Sequence, residues 1–162
     1  ATTPTLATWF RRALADIETN TCEGMSRLFF EGAEGDALNW LSQQPAGNVL
    51  ALSAQFGGMA TYVPALSGKR AFASHWGESP HFGDQAKRTL RFYAPPTRLT
   101  PDDAARSREQ MIRELDLRYV LWTPAERSLP HSLDPGALPS LHRAFVAGQG
   151  ETQVIIYVRS RS

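Results

Sequence analysis

Between Arg70 and Tyr93 the chain reads RAFASHWGESPHFGDQAKRTLRFY, and its middle crowds His75, Trp76, Glu78 and His81 into one short stretch. A histidine beside a carboxylate is the pairing of a general base and the acid that orients it. A tryptophan among polar groups is a platform for a hydroxyl-rich ligand. A second polar stretch, Thr123-Pro124-Ala125-Glu126-Arg127, sets a carboxylate next to a cation. A third, the pair Gly57-Gly58 ahead of a predicted helix, has the form of a loop that offers backbone N–H groups to an anion.

None of these completes a known catalytic pattern. Ser53, Ser67 and Ser74 lack the GxSxG elbow that exposes a nucleophile. Neither GxGxxG nor a Walker motif occurs. His75 and His81 are separated by a glycine and a proline in a way unlike common zinc spacings, while His131 and His142 stand without partners in or near a proline-rich stretch. The lone cysteine, Cys22, excludes an internal disulfide and a cysteine zinc cluster, and TNTCEGMS supplies no group to activate its thiol. Two carboxylates suit glycoside chemistry, but nothing in the sequence fixes their separation. The expectation is therefore no independent catalytic set, no metal site and no cofactor. Each residue also has a plain structural use. His75 caps a loop, Trp76 and Trp122 cover core edges, and Glu78 and Glu126 pair with Lys87, Arg88 or Arg127 for about 0–1 kcal/mol each.

The 162 residues suffice for one domain with a real core, and 42% hydrophobic with 20% charged residues is an ordinary globular composition. A net charge of +1 and aromatics scattered without basic interleaving argue against nucleic-acid binding. No run approaches the ~20 apolar residues of a membrane span. The start, ATTPTLATWFRR, does not read as a signal peptide and begins without methionine, as expected of a processed or excised domain.

The elements that would position these residues follow from periodicity. A helix is predicted over Thr8–Ile17, an irregular link over Asn20–Gly35 and a helix over Gly35–Gln43, ending before Pro45. Val49–Ser53 reads as a buried strand, GGMATYVPALSG as a short helix closed by Gly68, and Arg70–Ser74 as a second strand. A helix over Gly83–Tyr93 stops at Pro95-Pro96. Thr100-Pro101-Asp102-Asp103 has the cap, the proline and the acids of a helix start, with Ala104, Ala105, Met111, Ile112 and Leu115 on its apolar face. Tyr119–Trp122 makes a third strand, a proline-rich loop runs to Pro139, and Leu141–Val146 with Gln153–Val158 form a hairpin.

This alternation predicts a three-layer α/β fold. It would comprise a small, mostly parallel sheet of about three parallel strands flanked by helices, with a C-terminal antiparallel hairpin. The domain boundaries expected are an N-terminal helix and linker over 1–34 and one α/β domain over 35–162. Because open sheets bind beyond the carboxyl ends of their strands, SAQFGG, SHWGES and TPAER would meet on one rim. The candidate binding residues are His75, Trp76, Glu78, Lys87, Glu126, Arg127, Gly57 and Gly58.

The motif order GDALNWL, NVLALSAQFGGMATYVPALSGKR, SHWGES with Lys87 and RFY, YVLWTPAER and VIIYV resembles a known group over roughly Gly35–Arg159. That group is the soluble extracytoplasmic C-terminal domains of bacterial polytopic membrane proteins. They are related to the polyprenyl-phosphate-sugar-dependent glycosyltransferases, the mannosyltransferase and aminoarabinose-transferase type. Their counterpart of SHWGES is commonly Gly-His-Trp followed by Glu-Thr, so Ser74 and Ser79 depart from the pattern. The resemblance implies a domain on the periplasmic face, with the membrane-embedded remainder of the same polypeptide as its partner. It also implies no transferase activity in the isolated chain, because the group's catalytic acids lie in a loop between early membrane helices. The rim would then cover the membrane-side active site or contact the acceptor or lipid-linked sugar. Two other readings stay open: a free-standing small α/β enzyme using His75 with Glu78 or Glu126 as acid and base, and a structural or protein-docking domain.

Overall fold

The computed structural model describes residues 32–74 and 80–160. The helix predicted over Thr8–Ile17 lies outside the described residues. The first helix, α1 (Gly32–Ser42), begins inside the stretch expected to be an irregular link. It starts there because Ala37, Leu38 and Leu41 bury one apolar side, and the turn carrying Gly32–Gly35 extends that helix by its own backbone bonds.

The remaining elements are β1 (Asn48–Leu50), α2 (Val63–Ser67), β2 (Arg70–Ala71), α3 (Phe82–Tyr93) and α4 (Pro101–Glu114), followed by β3 (Leu117–Trp122), α5 (Pro124–Arg127), β4 (Leu141–Ala147) and β5 (Val154–Arg159). Gly68 closes α2 at φ +65°, a left-handed value that glycine adopts without cost. At α4 the Thr100 side chain accepts from the Asp103 N–H, as its sequence predicts.

The five strands form one mixed sheet in the order β2-β1-β3-β5-β4. β1 runs parallel to β2 on one side and to β3 on the other. β5 is antiparallel to both β3 and β4, so the hairpin extends the sheet through its second strand. The sheet is mixed: β2, β1 and β3 run parallel, and the C-terminal hairpin adds two antiparallel pairings.

Strand alternation divides the buried residues between two faces. Leu50, Val120, Trp122, Ile155 and Tyr157 join Phe92 and Tyr93 of α3 and Ile112 of α4 in one cluster. On the other face Phe145 pairs across the ladder with Ile156 and carries Trp40 of α1 stacked on its ring at 5.3 Å. Fully burying each large apolar side chain contributes roughly 1.5–3 kcal/mol.

Two strands are shorter than predicted, for one reason. Past Leu50, and past the Phe72 N–H that still donates to the Val49 carbonyl of β1, the backbone leaves the ladder and bonds to side chains or loops instead. The Leu52 N–H goes to the Glu126 carboxylate, and the Ser74 carbonyl receives the Thr61 hydroxyl. The proline-rich stretch expected to be pure loop contains the one-turn helix α5 and a 3-10 turn at Pro135–Ala137.

Candidate functional site at the strand carboxyl ends

β1 is the point at which the sheet's connections diverge. The chain passes from β1 to β2 on one side and returns to β3 on the other, the arrangement that opens a crevice for ligands in many α/β proteins. The loops after β1 and β3 do meet there. Glu126 reaches Leu52 at 2.8 Å, and a Cβ placed on Gly57 would lie 4.0 Å from the Ala125 methyl. Thr61 ties in the loop after β2, accepting from the Ala54 N–H at 3.1 Å and donating to the Ser74 carbonyl at 2.6 Å.

The crevice itself is occupied by the protein. Glu126 is fully buried. Its Oε1 accepts from the Leu52 N–H, and its Oε2 accepts from the Thr123 N–H at 2.9 Å and from the Thr123 hydroxyl. Thr123 and Glu126 are also the reciprocal capping box of α5, so one carboxylate both starts that helix and spans two strands. Beneath it the Tyr93 hydroxyl lies 2.9 Å from the Leu50 carbonyl and 2.8 Å from that of Leu121, filling the gap between β1 and β3. Burial pushes the Glu126 carboxyl up from its ordinary range, against the hydrogen bonds that favour the ionised form. Burial, reinforced by the Glu126 charge, raises the Tyr93 phenol well above its usual value.

This geometry fixes what the predicted residues can do. Glu126 has no face toward solvent and acts as an internal brace. Arg127 is half-buried, donating to the Trp122 carbonyl at 3.3 Å, the Glu151 carbonyl at 3.1 Å and the Gln153 carbonyl. It fastens α5 to the start of β5 and pairs with no carboxylate among the described residues. The N–H of Gly57 donates to the Ala54 carbonyl and that of Gly58 to the Ser53 carbonyl, so neither is free for an anion. Gly58 is required for closeness: a Cβ there would fall 2.2 Å from the Leu52 carbonyl oxygen. Lys87 is exposed on α3, with its ammonium 3.8 Å from Asp84 of the same helix. His75, Trp76 and Glu78 lie outside the described residues. The segment that holds them is bounded by Ser74 and Pro80, which line a groove of about 590 Å³ together with Arg70, Phe72, Gln85 and Glu114.

Three residues of consequence escape a reading by residue type. Tyr93 looked like a helix end, and Thr123 like a loop residue, although Thr-Pro-Ala-Glu carries the capping-box spacing. Arg108 sits on the buried side of α4 with Ala104 and Ile112. Its guanidinium lies 4.8 Å from the Phe92 ring centroid and donates to the Leu133 carbonyl at 2.8 Å. Burial brings its pKa down to about 10. The Ser53 hydroxyl is buried without a hydrogen-bond partner, but no histidine among the described residues approaches it as a base. Among the described residues no three His, Cys, Asp or Glu side chains gather as metal ligands.

No protein-family model matches the chain, and no curated protein does. Among solved structures the fold is similar to the C-terminal globular domain of an oligosaccharyltransferase from Archaeoglobus fulgidus. The TM-score is 0.52 and the identity 11%, over 82% of this chain and all of that domain.

Proposed function

We propose that the chain is an extracytoplasmic accessory domain of a membrane glycosyltransferase-like protein, without catalysis of its own. The observation that carries this reading is the fold shared with a globular domain of an oligosaccharyltransferase, matched over that domain's whole length. The internal use of Glu126 supports the absence of chemistry at the crevice, because the carboxylate is fully buried and already accepts from three donors of its own chain. Among the described residues no helix is long and apolar enough to cross a membrane. The membrane-embedded partner is then the remainder of the same polypeptide, of the bacterial polyprenyl-phosphate-sugar type that the motif order resembles.

In this reading the rim meets sugar, acceptor or lipid phosphate through the His75-Trp76-Glu78 segment. Lys87 is an exposed cation on the helix that follows, and Glu126, Arg127, Gly57 and Gly58 hold the loops that present the segment. Calorimetric titration of a short-chain polyprenyl-phosphate sugar into the chain tests it. Binding that disappears in a His75→Ala, Trp76→Ala double variant supports the assignment. No heat in the parent chain, or unchanged binding in the variant, removes it.

A further inference from the structure

The outer side of α1 does not match its inner side. Asp36, Asn39 and Trp40 recur at the three- and four-residue spacings that place them on one helix face, away from the buried Ala37, Leu38 and Leu41, and Gln43 follows in the turn just past the helix. Opposite them stands the hairpin strand β4, and Trp40 lies partly exposed on the ring of Phe145, with an interplanar angle of 28°. The two elements enclose a shallow pocket of about 420 Å³, completed by Val146, Ala147 and Gly148.

We propose that this pocket binds a neutral pyranose sugar. A pyranose has one face of C–H groups and an equator of hydroxyls. The C–H face suits the electron-rich face of an indole, and the hydroxyls need donors and acceptors close to the ring edge. Trp40 and Phe145 supply the aromatic surface. Asp36 supplies acceptors only, and Asn39 and Gln43 supply both kinds of group. Among the described residues none of these three side chains has a hydrogen-bond or ion-pair partner. The volume lies within the range of roughly 300–1,000 Å³ common to small-ligand pockets. Among the described residues no lysine, arginine or histidine lines the pocket, and Asp36 repels anions, so a sugar phosphate is disfavoured. Covering β4 explains why an indole stacks on Phe145. It does not explain why three polar side chains without a partner among the described residues line the same pocket.

The site is independent of the strand-end rim, and its test separates the two. The full chain, labelled with ¹⁵N, is titrated with cellobiose and with methyl β-D-glucopyranoside, and glucose 1-phosphate serves as the charged counterpart. The Trp40 indole N–H signal, assigned by its loss in Trp40→Phe, and the Gly148 amide should shift saturably with the neutral sugars. Asn39→Ala changes an exposed helix position that tolerates alanine and should weaken binding about tenfold. Arg106→Ala, an exposed position on α4 outside both sites, should bind the neutral sugars as the parent does. No shift with either neutral sugar overturns the proposal, as does equal affinity for glucose 1-phosphate or unchanged affinity in Asn39→Ala.

Discussion

The crevice between β1 and β3 and the pocket between α1 and β4 contain similar groups, arranged to opposite ends. Each joins aromatic rings to carboxylate and neutral polar side chains. In the crevice Glu126, Thr123 and Tyr93 are buried and turned on the backbone, and each oxygen has a protein partner. In the α1–β4 pocket Asp36, Asn39 and Gln43 are exposed and have no side-chain partner among the described residues. A buried polar group must be satisfied from within, whereas an exposed one carries no such cost and stays free for a ligand. Residue type alone does not separate a brace from a site, but the identity of the hydrogen-bond partner does.

The largest effect expected from breaking this contrast is at Glu126. Glu126→Ala leaves two backbone N–H groups and a hydroxyl buried without an acceptor, each costing about 1–3 kcal/mol. Urea denaturation should show a loss of roughly 3 kcal/mol or more, or no folded protein. Glu126→Gln should be milder at about 2 kcal/mol, because the amide keeps one acceptor and turns donors toward donors. A change below 0.5 kcal/mol in either variant would mean that the carboxylate is not a brace.

Next is Tyr93→Phe, which removes the hydroxyl shared by the Leu50 and Leu121 carbonyls while keeping the ring. A loss of about 1–2 kcal/mol in the same assay is expected.

A smaller effect sharpens the comparison through pH. The folded state holds the Glu126 proton more tightly than the unfolded chain, since burial raises its pKa. Its stabilising contribution is therefore complete below the ordinary carboxyl range and is lost as pH rises through the folded-state value. The stability of the parent relative to Glu126→Gln should fall with rising pH across that window and then level off. A difference that grows with pH would reverse the sign and contradict burial as the dominant cause. The smallest stability effect belongs to Asn39→Ala, which should stay within about 0.5 kcal/mol of the parent because the residue is exposed and unpaired.

Local signals in the sequence carried much of the architecture. Thr100-Pro101-Asp102-Asp103 starts α4 where its chemistry says, Gly68 ends α2, and the continuous apolar run of β5 pairs with β4. These need only neighbours in the chain. What remained hidden depends on groups far apart in sequence. β1 ends at Leu50 because Glu126, distant along the chain, captures the next amide. Arg108 is buried because carbonyls of Leu133 and Asp134 come to meet it. The meeting of the loops after β1 and β3 was legible from the α/β pattern, but the inward turn of Glu126 was not. A carboxylate in a short Thr-Pro-Ala-Glu turn reads equally well as a rim group until its partners are known.

Hydrogen exchange at the Leu52 and Thr123 amides tests the inward clamp most directly, because both donate to the Glu126 carboxylate. Although Leu52 lies beyond the end of β1, the account predicts exchange of both amides only through global unfolding, with protection equal to that of central β3 amides. Exchange of either amide at the rate of an exposed loop would contradict it and return Glu126 to the solvent-facing rim.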